Sequence, residues 1–235
     1  MTDSFKKLYD NISNRKSKPE DFSPYTGGNG RIDRAADIIM NEGFPLGGTI
    51  VDVGGATGNL GYSLRDLFSE RHVIDIADVC RGPAEAKGNI FHQRNIDADG
   101  LPFEDLSVDL IVALDFIEHI IDPNMFANEC FRCLRFGGNV LINTPNIQFW
   151  RHLESLVCAG RFPHTSGDSE VYHGGHVAFF NLSDLRIIFS LFSDHRMHVK
   201  QLTADPPPPI WHNLAKYADA GLQLSYPDII FSCKK

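Results

Sequence analysis

One stretch decides the fold of this chain: Thr49-Ile50-Val51-Asp52-Val53-Gly54-Gly55-Ala56-Thr57-Gly58-Asn59-Leu60-Gly61. A β-branched apolar run containing one acid meets a glycine-rich turn, after which leucines recur at helical spacing. A strand, a tight turn and a helix in this order let backbone approach a ligand closely and point amide N–H groups at it. The stretch therefore predicts a binding site for a nucleotide-like cofactor.

Strand and helix patterns alternate along the rest of the chain. Predicted strands cover residues 49–54, 71–76, 90–94, 108–114, 139–144, 197–202 and 229–233. Predicted helices cover residues 31–41 and 59–69, a segment from Asp122-Pro123 to about 135 that is stopped by Gly137-Gly138, and a segment capped by Asn181 or Ser183. Such alternation predicts an α/β fold with a doubly wound, mostly parallel seven-stranded sheet.

Two segments fall outside this alternation and set the predicted domain organisation. Residues 1–48 are predicted to form an N-terminal arm and helix that act as a lid, and residues 49–235 form the cofactor-binding domain. Residues from about 145 to 180, rich in histidine, glycine and aromatic side chains, are too long for an ordinary loop. We interpret this second segment as a cap inserted after the fifth strand.

Composition limits the classes of function. With 235 residues the chain is long enough for one α/β domain, and its net charge of −8 argues against a nucleic-acid partner. The polar N-terminus and the lack of a long apolar run predict a cytoplasmic protein without a membrane partner. Five cysteines make no disulfide framework, and Cys130-Phe131-Arg132-Cys133 lies in a helical pattern that predicts core packing. The sequence does not indicate an oligomeric state.

The glycine turn does not match a dinucleotide fingerprint. Read from Gly54, the pattern G-x-G-x-x-G has Ala56 and Asn59 where glycines are required. The turn is better described as acid-x-Gly-x-x-x-Gly, starting at Asp52 and ending at Gly58. A nicotinamide-dependent oxidoreductase on the same fold is therefore less favoured than an enzyme that uses another nucleotide-like cofactor. A binding protein without catalytic activity is a second alternative.

Five motifs in order resemble those of class I S-adenosylmethionine-dependent methyltransferases, over roughly residues 49 to 200. They are the segments 51–58, 72–76, 97–103, 108–113 and 134–142. The resemblance implies a cofactor site formed by Asp52, Gly54, Gly55, Ala56, Gly58, Asp75, Ile76, Asp97, Ala98 and Asp115. One departure is Ala56, which stands where the family usually has a second glycine.

Each part of this site has an implied partner on S-adenosylmethionine. The amide N–H groups of the turn donate to the methionine carboxylate, and Asp52 helps to hold the ammonium group. Asp75 accepts hydrogen bonds from the ribose hydroxyls. Asp97 accepts one from the exocyclic amine of adenine, and the amide of Ala98 donates to the adenine ring.

The segment Asp115-Phe116-Ile117-Glu118-His119 follows the fourth predicted strand, where this fold keeps its acceptor. If the segment makes one helical turn, Asp115, Glu118 and His119 share a face and can bind Mg²⁺ or Mn²⁺. The pattern resembles two metal-dependent groups, the ubiquinone-biosynthesis O-methyltransferases and the plant small-RNA 2′-O-methyltransferases, and the latter add a later histidine, for which His176 is the candidate. The alternative is that Glu118 and His119 orient the strand end and the substrate without a metal.

Methyl transfer to an alcohol requires a base, and His119, His173 and His176, with Glu118, are the candidates. Two of these histidines lie in the cap. The segments 144–150, 160–162 and 175–185 resemble methyltransferases of bacterial surface-polysaccharide and natural-product gene sets. The predicted reaction is methylation of a small molecule, first at a sugar or natural-product hydroxyl and alternatively at an amine.

Three aromatic residues in the cap have two possible roles. Phe149, Trp150 and Tyr172 either stack on a sugar ring or close the cap by packing against each other.

Overall fold

The computed structural model describes residues 30–163, 165, 175–198, 204–205, 208–209 and 223–235. The strands are β1 (Gly47–Val53), β2 (Phe68–Asp75), β3 (Ile90–Gln93), β4 (Val108–Leu114), β5 (Leu134–Pro145), β6 (Ser193–Met197) and β7 (Asp228–Lys234). They form one sheet in the order β3-β2-β1-β4-β5-β7-β6. Strands β1 to β5 are parallel, and β7 runs antiparallel to both β5 and β6. The predicted mostly parallel seven-stranded sheet is confirmed.

The helices are α1 (Arg31–Asn41), α2 (Asn59–Ser63), α3 (Arg81–Ala86), α4 (Ile96–Asp99), α5 (Pro123–Cys133), α6 (Trp150–Cys158) and α7 (Leu182–Ile188). Short 3-10 turns cover Asp78–Cys80, Ile117–His119 and Gln223–Ser225. The predicted bounds of α1 are confirmed. Asn181 caps α7, because its side chain accepts the N–H groups of Ser183 and Asp184 at 2.7 and 3.1 Å. Within the described ranges, no helix has both the length and the apolar character needed to cross a membrane.

Both faces of the sheet are buried, which explains the continuous apolar runs of its central strands. Ile50 of β1 faces one core, together with Ile38 of α1 and Leu60 of α2. The next residue, Val51, faces the opposite core, where Phe126 of α5 packs among the strand side chains. Helices on both faces are the arrangement expected of a doubly wound sheet.

The helix after the glycine turn is shorter than predicted. It ends at Ser63, and β2 already begins at Phe68, which pairs with Gly47 of β1. Leu64 and Phe68 are buried in the same core, but only Leu60 belongs to the helix itself. A longer helix and a strand that enters this core would both bury Leu64 and Phe68. The spacing of the apolar residues alone therefore did not distinguish the helix from the strand.

The sequence predicted that Gly137-Gly138 would stop α5, and this prediction is wrong. The helix ends at Cys133, and β5 begins at Leu134 and includes both glycines. A Cβ atom on Gly138 would lie 2.9 Å from the carbonyl oxygen of Asp109, so close strand packing requires this glycine. Strand β6 begins at residue 193, whereas the sequence predicted a strand over residues 197–202. Residues 199–202 of that prediction lie outside the described part of the chain.

The cap insertion is closed at its base. Asn146 and Phe180 form a parallel bridge, and the N–H of Ile147 donates to the carbonyl of Phe180 at 3.0 Å. The indole N–H of Trp150, at the start of α6, donates to the carbonyl of Asp205 at 2.9 Å. The cap therefore starts and returns at one point beside the carboxyl end of β5.

We expect Phe126→Ala to lower the free energy of unfolding by about 3 to 5 kcal/mol, because it leaves a cavity under α5. Phe136→Ala is the matched control, since that ring is 81% exposed and its loss should change stability by less than about 0.5 kcal/mol. Urea denaturation of both variants measures the difference. Equal losses would contradict the placement of this core.

Candidate active site

The glycine turn begins where β1 ends and forms the floor of the site. Gly54 (φ +73°), Ala56 (φ +44°) and Gly58 (φ +70°) all adopt left-handed backbone conformations. A Cβ atom on Gly54 would lie 2.9 Å from the ring of Phe116, which follows β4. A side chain at Gly54 is therefore excluded both by the backbone conformation and by this contact.

Two residues that no sequence pattern marked hold this turn from outside. The side-chain amide of Asn89 donates to the carbonyl of Gly58 at 3.1 Å, and the ammonium group of Lys87 donates to the carbonyl of Thr57 at 2.6 Å. Asn89 is buried, and a Cβ atom on Gly58 would lie 2.4 Å from its amide nitrogen. Neither residue belongs to a motif, so a single sequence offers no signal for them.

The carboxylate of Asp75 links the end of β2 to the glycine turn. Its Oδ2 atom accepts the N–H of Ala56 at 3.0 Å, and its Oδ1 atom accepts the N–H of Ala77 at 2.8 Å. A carboxylate can accept about four hydrogen bonds, so ribose hydroxyls are compatible with this geometry as additional donors. Asp75 and the half-buried Ile76 thus lie beside the turn.

Asp97 offers a buried oxygen atom on the other side of the site. Its Oδ1 atom accepts the N–H groups of Ile121 and Asp122 at 2.9 and 3.3 Å. Its Oδ2 atom is buried and has no hydrogen-bond partner in the described part of the chain. Because an unsatisfied buried acceptor is costly, this atom suits a ligand N–H donor. The N–H of Ala98 was predicted to donate to the adenine ring. In the structure this N–H donates to the carbonyl of Asn95 at 3.0 Å.

The carboxyl group of Asp52 lies against the glycine turn. A Cβ atom on Gly55 would lie 2.5 Å from its carboxyl carbon. Burial raises the pKa of Asp52 to about 7, although the nearby charge of Arg31 acts in the opposite direction. A cation bound beside this carboxyl group would therefore stabilise its ionised form and lower its pKa.

Strand β4 is followed by a backbone reversal at Asp115, which has a φ of +50°. Its Oδ2 atom forms an ion pair with Arg31 of α1, and its Oδ1 atom accepts the side-chain amide of Asn143. The prediction that Asp115, Glu118 and His119 share one helical face is therefore wrong. The left-handed residue turns the chain before the 3-10 turn begins, and Arg31 holds the Asp115 side chain on the side of α1.

Glu118, His119 and His176 do come together, and their candidate ligand atoms all lie within 4.8 Å of one another. The two imidazole rings meet edge to face with centroids 4.8 Å apart. His119 Nδ1 donates to the carbonyl of Gly175 at 3.1 Å, and Val177 N–H donates to the carbonyl of Glu118 at 2.8 Å. Among the residues that the structure describes, this group is the one suited to a metal ion, and Asp115 lies outside it.

Glu118 is almost completely buried at the centre of this group. Its Oε2 atom accepts the hydroxyl of Thr144 at 2.9 Å, whereas its Oε1 atom has no hydrogen-bond partner in the described ranges. His176 Nε2 lies 3.9 Å from this Oε1 atom, and His176 Nδ1 bonds to the hydroxyl of Thr165 at 2.7 Å. Burial raises the pKa of Glu118 to about 7. The carboxyl group can therefore exchange a proton near neutral pH.

The two aromatic side chains at the start of the predicted cap pack inward. Phe149 and Trp150 are 6% and 7% exposed and form a small cluster with Leu224. Of the two roles considered for these rings, packing is the one observed. The predicted base His173 and the third aromatic residue, Tyr172, lie outside the described residues.

Comparison with known proteins identifies the family of this chain. A family model described as a methyltransferase domain matches residues 29–192. The chain is 28% identical over 118 residues to a ubiquinone biosynthesis O-methyltransferase of Cupriavidus pinatubonensis, with 48% of this chain and 47% of that protein covered. It is 26% identical over 113 residues to the ubiquinone/menaquinone biosynthesis C-methyltransferase UbiE of Pseudoalteromonas translucida, with 44% and 45% covered. The chain thus spans at most about half the length of the curated relatives it matches.

Solved structures support the same fold at low sequence identity. Phosphoethanolamine N-methyltransferase 2 of Haemonchus contortus, in complex with S-adenosylmethionine, has a TM-score of 0.63 and 15% identity, covering 96% of this chain and 59% of that chain. A methyltransferase from Archaeoglobus fulgidus has a TM-score of 0.61 and 13% identity, covering 90% and 96%. The family match extends from α1 to the end of α7 and includes the glycine turn. The chain therefore belongs to the methyltransferase-domain family.

Proposed function

We propose that the chain transfers a methyl group from S-adenosylmethionine to a hydroxyl oxygen of a small molecule, such as a sugar or a natural product. The observation that carries this proposal is the buried Glu118 carboxyl group facing His176 at the end of β4. A neutral alcohol is a weak nucleophile and must lose its proton as it attacks the methyl group, whereas a neutral amine is nucleophilic enough to attack before it loses a proton. A carboxyl–imidazole pair beside the cofactor end of the sheet meets the need of an alcohol. The relative named as an O-methyltransferase supports the same choice.

The residues around the glycine turn fit the cofactor. S-adenosylmethionine supplies a methyl group on a positively charged sulfur and carries an ammonium group, a carboxylate, a ribose and an adenine. The unpartnered Oδ2 atom of Asp97 suits the adenine amine, and Asp75 suits the ribose hydroxyls. Asp52, close to its pKa at neutral pH, suits the ammonium group. Gly54 and Gly58 allow the left-handed backbone of the turn and its close packing against Phe116 and Asn89.

Glu118, His119 and His176 also form a proposed metal site. One carboxylate and two imidazoles suit a transition metal ion better than Mg²⁺, which prefers an all-oxygen shell, so Mn²⁺ is the better candidate of the two. The unpartnered Oε1 atom of Glu118 is the observation in favour of a bound cation. When bound, such an ion would lower the pKa of the acceptor hydroxyl. Without it, the same residues orient the hydroxyl and accept its proton.

The proposed function is tested by binding and by transfer. Calorimetry with S-adenosylhomocysteine tests the cofactor site, and labelled S-adenosylmethionine with a panel of sugars, phenols and amines tests the acceptor. An O-methylated product supports the proposal. Exclusive N-methylation would contradict the oxygen acceptor, and binding without any transfer would favour a protein that lacks catalytic activity.

The affinity for S-adenosylhomocysteine should fall about tenfold per pH unit below pH 7, because the ammonium group must bind an ionised Asp52. The raised pKa also predicts that the unliganded protein loses the contribution of Asp52 to stability as the pH rises from about 4 to 7, since only the folded state retains the proton in this range. Asp52→Asn should bind weakly and without this pH dependence in calorimetry from pH 5 to 7. Asp66→Asn, at a side chain that is 84% exposed, is the control and should follow the wild type.

His176→Ala should lower turnover by about 100-fold while leaving the affinity for S-adenosylhomocysteine nearly unchanged, because His176 faces Glu118 on the proposed acceptor side. His195→Ala, on β6 at the far edge of the sheet, should leave turnover unchanged. Titrating Mn²⁺ and Mg²⁺ into chelator-treated enzyme distinguishes the two roles. A metal is supported if Mn²⁺ restores the turnover of the chelator-treated wild type but not that of His176→Ala. A turnover that does not change on chelation rejects the metal.

Ala56→Gly should raise the free energy of unfolding by about 1 kcal/mol, because the left-handed conformation costs an alanine roughly that much and a glycine nothing. Ala127→Gly, in the regular helix α5, is the matched control and should lower stability by about 1 kcal/mol or more. Thermal and urea unfolding measure both variants. A loss of stability in Ala56→Gly would show that the alanine methyl group contributes more by packing than it costs by strain.

A further inference from the structure

The side chain of Asn143, in β5, holds a buried oxygen atom that has no role in the proposed cofactor site or in proton transfer. Asn143 is only 2% exposed, and its Oδ1 atom has no hydrogen-bond partner in the part of the chain that the structure describes. Its amide N–H group donates to the carboxylate of Asp115. Because a carboxylate can only accept, this bond fixes the orientation of the amide. An unpartnered buried acceptor is costly, so Oδ1 indicates a ligand that donates to it.

Asp228, on the neighbouring strand β7, lies on the same face of the sheet as Asn143. Asn143 pairs with Ile230 in the antiparallel register, and Asp228 precedes Ile230 by two residues. Side chains two residues apart on a strand share a face, and Ile230 packs in the core that α1 covers. Diagonal neighbours of this kind lie about 7 to 8 Å apart, which is close enough for one small ligand to contact both.

Arg34 of α1 adds a hydrogen-bond donor at this place. Its Nη2 atom lies 3.4 Å from the Oδ2 atom of Asp228, and the two side chains are 21% and 28% exposed. The Nε atom of Arg34 is buried and has no hydrogen-bond partner within the described ranges. An amide oxygen, a carboxylate and a guanidinium N–H group therefore meet here from β5, β7 and α1.

This group of three side chains adjoins the proposed base. Thr144, the next residue of β5, donates to Glu118 on the opposite face of the strand at 2.9 Å. Beside the larger effect of burial, the charge of Asp228 raises the pKa of Glu118, so the two carboxyl groups are near each other. A molecule that lies over the end of β5 can therefore place one hydroxyl group at Glu118 and others at Asn143, Asp228 and Arg34.

The donors and acceptors of this group match hydroxyl groups. A hydroxyl group can donate to Oδ1 of Asn143 or to Asp228 and can accept from Nε of Arg34. A phenol with one hydroxyl group would use it for methyl transfer and would leave the three side chains unsatisfied. An anionic group in this place could not donate to Asn143 and would meet the carboxylate of Asp228.

We infer that Asn143, Asp228 and Arg34 form an acceptor subsite, which binds hydroxyl groups other than the one that is methylated. The acceptor is therefore a polyol, such as a sugar, and not a molecule with a single hydroxyl group. The inference rests on the proposed transfer of the methyl group to oxygen, and it narrows the class of acceptor by the side chains that surround it.

Monosaccharides, methyl glycosides and inositols are the probes, and phenols are the competing class. Binding to the complex of the protein with S-adenosylhomocysteine is measured by saturation-transfer NMR, and methylation is measured with labelled S-adenosylmethionine. Polyols should bind and should be methylated. For the best polyol, at least one deoxy analogue that lacks a non-reacting hydroxyl group should have a kcat/KM about 10- to 100-fold lower, because buried polar groups are then left unpaired.

Asn143→Ala and Asp228→Asn should each raise the KM for the best polyol by about 10- to 100-fold and change kcat little. In each variant at least one deoxy analogue should lose nothing further, so the ratio of the two kcat/KM values falls towards one. Asn139→Ala, at the other end of β5, is the matched control and should keep the wild-type ratio. Asp228→Asn keeps the shape of the side chain and carries the test alone if Asn143→Ala does not fold.

Three results overturn the inference and leave the proposed function intact. Methylation of phenols alone assigns the site to an acceptor with a single hydroxyl group. An equal loss for the polyol and for every deoxy analogue in both variants means that these residues only support the fold. The absence of any bound or methylated polyol also rejects the subsite. By contrast, failure to bind S-adenosylhomocysteine, or methylation of amines alone, would overturn the proposed function itself.

Discussion

The structure depends on the backbone path between β1 and α2, where three residues of the glycine turn are left-handed. The path is held by side chains from elements far along the chain. Asn89 and Lys87 bind its carbonyl groups and Asp75 binds one of its N–H groups, while Phe116 packs against Gly54. Because these contacts fix the turn, the proposed cofactor would bind without having to order it. Such preorganisation lowers the cost of binding.

The second constraint is the concentration of acids at the carboxyl end of the sheet. Asp52 and Glu118 are buried, and burial raises the pKa of each to about 7. Isolated buried carboxylates are costly, so such groups are kept where they meet a cation or a proton. In this site Asp52 faces the cofactor turn and Glu118 faces His176. In the proposed function these two acids serve cofactor binding and acceptor chemistry separately, although they come from the ends of two neighbouring strands.

The sequence predicted the elements whose signals are local. β4 has the predicted bounds, because a buried parallel strand is a continuous apolar run, and α1 has them because its apolar face is regular. The helix after the turn was predicted too long, since Phe68 is buried equally well in a strand. The end of α5 was missed because Gly138 serves close strand packing and not a helix stop.

The candidate site was predictable only where a motif fixes a residue to a strand end. Asp52 and Asp75 lie at the ends of β1 and β2, Asp97 lies in α4, and their roles toward the cofactor stay predictions. The grouping of Glu118 with His176 followed from resemblance. Asp115 was assigned to the wrong cluster, because its left-handed backbone and its pairing with Arg31 depend on tertiary contacts. The contacts of Asn89 and Arg31 are of the same kind, and a single sequence carries no trace of them.

Helix α1 is fixed at its far end by a buried polar chain. His198 lies between Glu42, which follows α1, and Ser232 of β7, with distances of 3.0 Å from Nδ1 to the Glu42 carboxylate and 2.7 Å from Nε2 to the Ser232 hydroxyl. Burial lowers the pKa of His198, so the neutral ring donates to Glu42 and accepts from Ser232. An 11-residue helix is about 16 Å long, so this anchor lies well away from the active site. A rigid helix held at that distance sets the position of Arg31 at its other end, and the acidic site therefore receives its cation through α1.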